Sequence, residues 1–172
     1  SPSRGRGRTS FTRFVQQSLS RAKDHGVENI SLHMMPGSCQ LDIDYFAENA
    51  RRLAELAIEV TQKHEVNLHF IDLGGGLGIP YTNSESPLDV DEMCSVVLEV
   101  FTEKFSECGL DLPQIVMEPA RYLVGDAAIL VGQVNAIKNS NQVIVGTDIS
   151  MNVMARGILY DAHPRFEINR KN

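Results

Sequence analysis

Apolar positions along the chain switch between a helical and a strand period. Phe11, Phe14, Val15, Leu19 and Ala22 recur every three or four residues, with Thr9 or Ser10 as a cap before them and Gly26 as a stop behind. That spacing predicts a first helix, and Asn29 to His33 then predicts a short strand. From Asp44 to His64 the helical stripe is clearest: Phe46, Ala50, Leu53, Ala57 and Val60 share one face, and Arg51, Glu55, Glu59 and Lys63 lie largely opposite. A second strand is expected over Asn67 to Leu73, running into Gly74-Gly75-Gly76. After a loop containing Pro80 and Pro87, Asp89 to Glu107 repeats the helical stripe through Val90, Met93, Val97, Val100, Phe101 and Phe105, and Gly109 ends it. Gln114 to Met117 reads as the third strand.

Helices alternating with strands predict a parallel α/β sheet. The alternation stops near residue 130. Ala127 to Lys138 and Gln142 to Asp148 read as two adjacent strands around the turn-forming Asn139-Ser140-Asn141, which predicts the start of an antiparallel β region. Three strands cannot close an α/β barrel, which needs eight and about 250 residues. The pattern therefore predicts either a small open sheet or one part of something larger.

Composition narrows the class. With 172 residues, 42% hydrophobic and 22% charged, the chain is about one folded domain rather than a disordered segment. No apolar run reaches membrane-spanning length, and the chain starts without a secretory pattern, so no membrane partner is expected. Cys39, Cys94 and Cys108 form no ligand or disulfide spacing, which predicts no metal and a reducing, cytoplasmic setting. Within a net charge of −6, Arg4, Arg6, Arg8, Arg13, Arg21 and Lys23 precede any acid. With no aromatic side chain inside the RGRGR run, no nucleic-acid partner is expected, and residues 1–9 read as a flexible basic leader.

Three candidate segments stand at the carboxyl ends of the predicted strands, where α/β folds place ligands. Gly74-Gly75-Gly76-Leu77-Gly78 allows close approach of backbone and successive N–H donors, which suits a phosphate but serves equally as a structural turn. His33-Met34-Met35-Pro36-Gly37-Ser38 adds a hydroxyl beside a glycine; His33 taken alone reads as a hydrogen-bonded core residue, on the same strand face as Met35. Glu118-Pro119-Ala120-Arg121 taken alone reads as an ordinary ion pair.

Together with DISMNVMARGILYDAH at 148–163, the ordered segments HMMPGS, IDLGGGLGIPY and MEPARYLVG resemble the alanine-racemase-like (fold type III) pyridoxal-phosphate-dependent decarboxylases. The similarity spans about Thr9 to Phe166 and is greatest to the diaminopimelate decarboxylases, with ornithine and arginine decarboxylases of the same fold more distant. It implies that Gly74, Gly75 and Gly76 cradle the cofactor phosphate, that Ser38 is a hydroxyl ligand of it, and that Glu118 pairs with the pyridine nitrogen. A carboxylate there keeps the ring protonated, and a pyridinium is the electron sink that a decarboxylation needs. Pro119, Ala120 and Arg121 match the end of the family's Glu-Pro-Gly-Arg element at the phosphate or substrate, and Met35 and His33 fall near the ring. Arg156 and Tyr160 match groups that bind the substrate's distal carboxylate, along with Arg121.

Three departures accompany the resemblance. The family's cofactor-attaching lysine lies on an early barrel strand, and none of Lys23, Lys63, Lys104, Lys138 and Lys171 falls in a matching motif. Met35 stands where the family usually has a ring-stacking histidine, and Ala120 stands where it has glycine. The family's later cysteine-containing substrate motif has no counterpart here. The fold expected is thus the C-terminal part of a (β/α)8 barrel over residues 10–129, its last three βα units, leading into a C-terminal β domain over residues 130–172. The function implied is decarboxylation of an amino acid, meso-diaminopimelate to L-lysine first, by a homodimer. The alternatives are another amino-acid substrate and a catalytically inactive regulatory homologue.

Overall fold

A computed structural model describes the backbone of residues 4–160 and 166–168, and side chains from Phe14 on. The elements run α1 (Arg4–Asp24), β1 (Ile30–His33), α2 (Ile43–His64), β2 (Leu68–Asp72), α3 (Val90–Glu107), β3 (Gln114–Val116), α4 (Ala120–Val124), β4 (Val134–Asn139), β5 (Val143–Thr147) and α5 (Arg156–Tyr160). Strands β1, β2 and β3 pair in that order, all parallel. The register sets His33 opposite Asp72, and Asp72 opposite Val116, so the three strands finish level at their carboxyl ends. That shared edge carries the three candidate segments.

The helices form where the spacing predicts. Asp42 caps α2 by accepting from the Asp44 N–H at 3.0 Å, and Asp89 caps α3 by accepting from the Glu92 N–H at 3.0 Å. Glu65, at φ 51°, turns the chain out of α2 in a left-handed conformation. Phe46, Ala50, Leu53, Ala57 and Val60 of α2 are buried with Met93, Val97, Phe101 and Phe105 of α3 and with Ile71 and Leu73 in one core. Burying such side chains is worth about 1.5–3 kcal/mol each before entropy is counted, which makes this core the anchor for the strand ends.

Four features differ from the expectation. Helix α1 begins at Arg4 rather than after a cap at Thr9 or Ser10; arginine favours helix, and no proline interrupts the segment. Of the apolar stretch from Ala127, only Val134–Asn139 is strand, because β5 supplies an antiparallel partner over that length alone. Short helices α4 and α5 follow Pro119 and Ala155, where no stripe long enough to signal a helix exists. The side chains of β4 and β5 are nearly all exposed, among them Ile137, Val143, Ile144 and Val145. No helix among the described residues is long and apolar enough to cross a membrane.

Candidate functional site at the strand ends

The three segments meet through their backbones. Met34 N–H donates to Asp72 O at 3.0 Å, and Leu73 N–H donates to Val116 O at 2.9 Å, carrying the pairing one residue past the sheet on each side. Glu118 N–H then donates to Gly74 O at 2.9 Å, Gln40 N–H to Gly76 O at 2.8 Å, and Gly78 N–H to Gln40 O at 2.8 Å. Close approach explains the glycines. A Cβ at Gly75 would lie 2.5 Å from Glu118 O, and one at Gly76 would lie 2.7 Å from Gly37 O, with Gly76 at φ +93°.

Side chains divide the edge into two ends. At one, Arg121 Nη1 donates to Ser38 Oγ at 3.2 Å across 83 residues of sequence. Beside Ser38 opens a cavity of about 440 Å³, lined by Cys39, Tyr81, Glu85, Arg156 and Tyr160 among others. The Arg156 guanidinium carbon sits 5.3 Å from the Tyr160 ring centre, and Arg156 Nε is buried without a partner among the described residues. Glu85 accepts from the Thr82 N–H at 2.9 Å and the Tyr81 N–H at 2.7 Å, and these two bonds hold its carboxyl below the ordinary glutamate range. At the other end, His33 Nε2 lies 3.6 Å from Glu118 Oε2, with both side chains about half exposed. Asp72, buried, accepts from the Gly74 N–H at 2.8 Å and brings a carboxylate oxygen within 4.8 Å of both.

Several expectations are corrected by this geometry. His33 is not a core residue: it ends β1 with its ring facing Glu118. Met35 lies beyond the strand, and its sulfur accepts from the Gly75 N–H at 3.3 Å. Asp72 and Met35 thus occupy two of the three glycine N–H groups expected for a phosphate, and only Gly76 keeps its N–H without an acceptor among the described residues. Glu118 and Arg121 are not an ion pair with each other; Glu118 faces His33 and Arg121 faces Ser38. Ser38, Arg156 and Tyr160 share the cavity, while residues 161–165 of the last motif lie outside the described residues. Asp72 was missed, although an acid closing a strand just before a glycine run is a signal for a side chain that fixes the turn.

The donor set suits a phosphorylated pyridine. The Gly76 N–H, the Ser38 hydroxyl and the Arg121 guanidinium offer an anion three donors of different kinds, and Glu118 offers a protonated ring nitrogen an accessible carboxylate.

Comparisons with known proteins point to one family. The family described as pyridoxal-dependent decarboxylase, pyridoxal binding domain, matches residues 8–125. A diaminopimelate decarboxylase of Methanothermobacter thermautotrophicus is 42% identical over 142 residues, covering 83% of this chain and 33% of the relative. One from Thermoplasma acidophilum is 39% identical over 142 residues, with the same coverage of 83% and 33%. The crystal structure of diaminopimelate decarboxylase from Helicobacter pylori, complexed with L-lysine, superposes with a TM-score of 0.70 at 27% identity, covering 90% of this chain and 37% of that one. The α/β fold is therefore similar to that of the pyridoxal-phosphate decarboxylases. The chain spans about a third of the length of the curated relatives it matches.

Proposed function

From the premise that this chain belongs to the pyridoxal-dependent decarboxylases, as its match over residues 8–125 establishes, we propose that it forms the cofactor-binding part of an amino-acid decarboxylase. The substrate proposed is meso-diaminopimelate, giving L-lysine and CO2; the relatives named above are diaminopimelate decarboxylases. Residues 10–129 would be the last three βα units of a (β/α)8 barrel, and residues 130–172 the start of a C-terminal β domain whose further strands cover the apolar faces of β4 and β5. A homodimer in the cytoplasm is the proposed setting.

The observation that carries the reading is the separation of two chemistries along one edge. Arg121 and Ser38, bonded at 3.2 Å, together with the Gly76 N–H, would hold the phosphate. Glu118 would hold a proton on the ring nitrogen, through a carboxylate whose one side-chain partner among the described residues is His33 at 3.6 Å. Pro119 and Ala120 start α4 and aim Arg121 at Ser38. Arg156, with its unpartnered Nε and Tyr160 against it, would take the substrate's distal carboxylate in the cavity next to Ser38. Bound pyridoxal phosphate supplies the electron sink for loss of CO2. The lysine that attaches the cofactor is not assigned to this chain: Lys23 and Lys63 are engaged on the helices with His64 O and Glu59, and Lys104 with Glu107.

A second reading, an inactive regulatory homologue, is favoured by one observation: the Met35 sulfur takes the Gly75 N–H that a phosphate would use. One experiment separates the two. Residues 10–160 are exchanged into the M. thermautotrophicus diaminopimelate decarboxylase, and CO2 release from meso-diaminopimelate, ornithine and arginine is measured with added pyridoxal phosphate. Release from meso-diaminopimelate that Glu118→Gln abolishes is the expected result. A folded chimera that binds the cofactor and releases no CO2 from any of the three would establish the regulatory reading instead.

A further inference from the structure

Resting on that reading, we propose that His33 is a positioning residue for Glu118: its imidazole orients the carboxylate that meets the ring nitrogen of the cofactor. The backbone of Glu118 is fixed by its N–H bond to Gly74 O at 2.9 Å and by the close approach of Gly75 to its carbonyl. Its side chain is not fixed by the backbone. The carboxylate is more than half exposed, and His33 Nε2, at 3.6 Å from Oε2, is its one side-chain partner among the described residues. An exposed glutamate with three free torsions samples many orientations, and a ring nitrogen is met by only a few of them.

His33 is well built for the task. Its backbone is locked by the strand register opposite Asp72, and Met34 N–H extends the pairing to Asp72 O at 3.0 Å. Its ring has two torsions and carries a directional N–H donor. Asp72 is fixed in turn by the Gly74 N–H at 2.8 Å, and it keeps a carboxylate oxygen within 4.8 Å of both His33 and Glu118. The three groups thus cluster beside the same glycine turn that shapes the phosphate end. A contact of 3.6 Å exceeds hydrogen-bond length, and a small side-chain rotation closes it when a ligand arrives. One Glu118 oxygen then accepts from His33, and the other stays available to the ring nitrogen.

The test uses the full 172-residue chain and 4-deoxypyridoxine 5′-phosphate labelled with ¹⁵N in its ring, a probe that has no aldehyde and needs no lysine. The ring ¹⁵N shift reports whether the nitrogen holds its proton, and the ³¹P shift reports the phosphate end. In the bound wild type the nitrogen should read as protonated. His33→Phe should move it toward the neutral value, leave the ³¹P shift in place, and weaken binding by about tenfold. His33→Gln, which restores an N–H donor, should recover most of both effects and serves as the folding control. A bound His33→Phe complex with the wild-type ¹⁵N shift would overturn the positioning role. A wild-type chain that fails to bind the probe, or one whose ¹⁵N shift ignores Glu118→Gln, would overturn the cofactor reading itself and this inference with it.

Discussion

Between Leu19 and Phe105 most large apolar side chains of the α/β unit pack into one core, with Phe101, Met93 and Ile71 fully buried. From Leu123 onward the same residue types stand in solvent: Ile129, Val131, Ile137, Val143 and Ile144 are all exposed. Both regions have strands of ordinary composition, so strand propensity does not separate them. The difference is a partner. Strand β2 has neighbours on both sides and α2 against it, with α3 packed on α2, whereas β4 and β5 have only each other. A two-stranded hairpin is marginal alone in water. The residues proposed to hold the cofactor stand at the strand ends of the packed region, and Arg156 and Tyr160 lie on the exposed one.

The strongest way to break this contrast is to mutate both regions alike. Phe101→Ala, at the buried contact between α2 and α3, should lower stability by about 3–5 kcal/mol in urea melts followed by circular dichroism. Ile144→Ala in β5 should change it by less than about 0.5 kcal/mol. Equal losses would mean that the hairpin packs in solution. Next in size is Gly76→Ala, which places a Cβ 2.7 Å from Gly37 O at a left-handed φ of +93°. It should cost about 1–3 kcal/mol in the same melts, and it should remove pyridoxal phosphate binding measured by fluorescence, because the loops must part.

A smaller effect is expected from Met35→Leu, which removes the sulfur acceptor from the Gly75 N–H and keeps the volume. Stability should fall by less than about 1 kcal/mol, and cofactor affinity should rise as a second N–H becomes free for the phosphate. Smallest is the acid response of the loop held by Glu85. Its folded carboxyl lies below the ordinary glutamate range because the Thr82 and Tyr81 N–H groups stabilise the charge. The ordering is therefore complete above that range and is lost as pH falls through the depressed folded value. The Tyr81 and Thr82 amide resonances should move together in that acid window, and Glu85→Gln should flatten the response.

What was legible in the sequence follows the same contrast. The spacing of Phe46 to Val60 and of Val90 to Phe105 carried α2 and α3, and β1 to β3 came within two residues of their ends, because packing rewards the very faces that periodicity marks. Helices α4 and α5 were not legible, since five residues are too short to show a stripe. The Ser38–Arg121 bond was not legible: the family resemblance set Ser38 at the phosphate and Arg121 at the phosphate or substrate, and no local pattern links residues 83 apart. His33 was read as core from its residue type taken alone; β1 ends at His33, and its exposed ring faces Glu118. Asp72 showed its acid-before-glycine signal, yet its burial depends on β2 being the central strand, which is a property of topology.

The central claim is that one edge reads a phosphorylated pyridine with different residues at its two ends, and calorimetric titration tests it most directly. The wild-type chain, Arg121→Met and Glu118→Gln are each titrated with 4-deoxypyridoxine 5′-phosphate and with 4-deoxypyridoxine, which lacks the phosphate. Arg121→Met should erase most of the preference for the phosphorylated ligand, and Glu118→Gln should weaken both ligands by a similar factor, about tenfold for a lost charge-assisted hydrogen bond. Two variants with the same pattern of loss, or with no loss for either ligand, would contradict the division of the site.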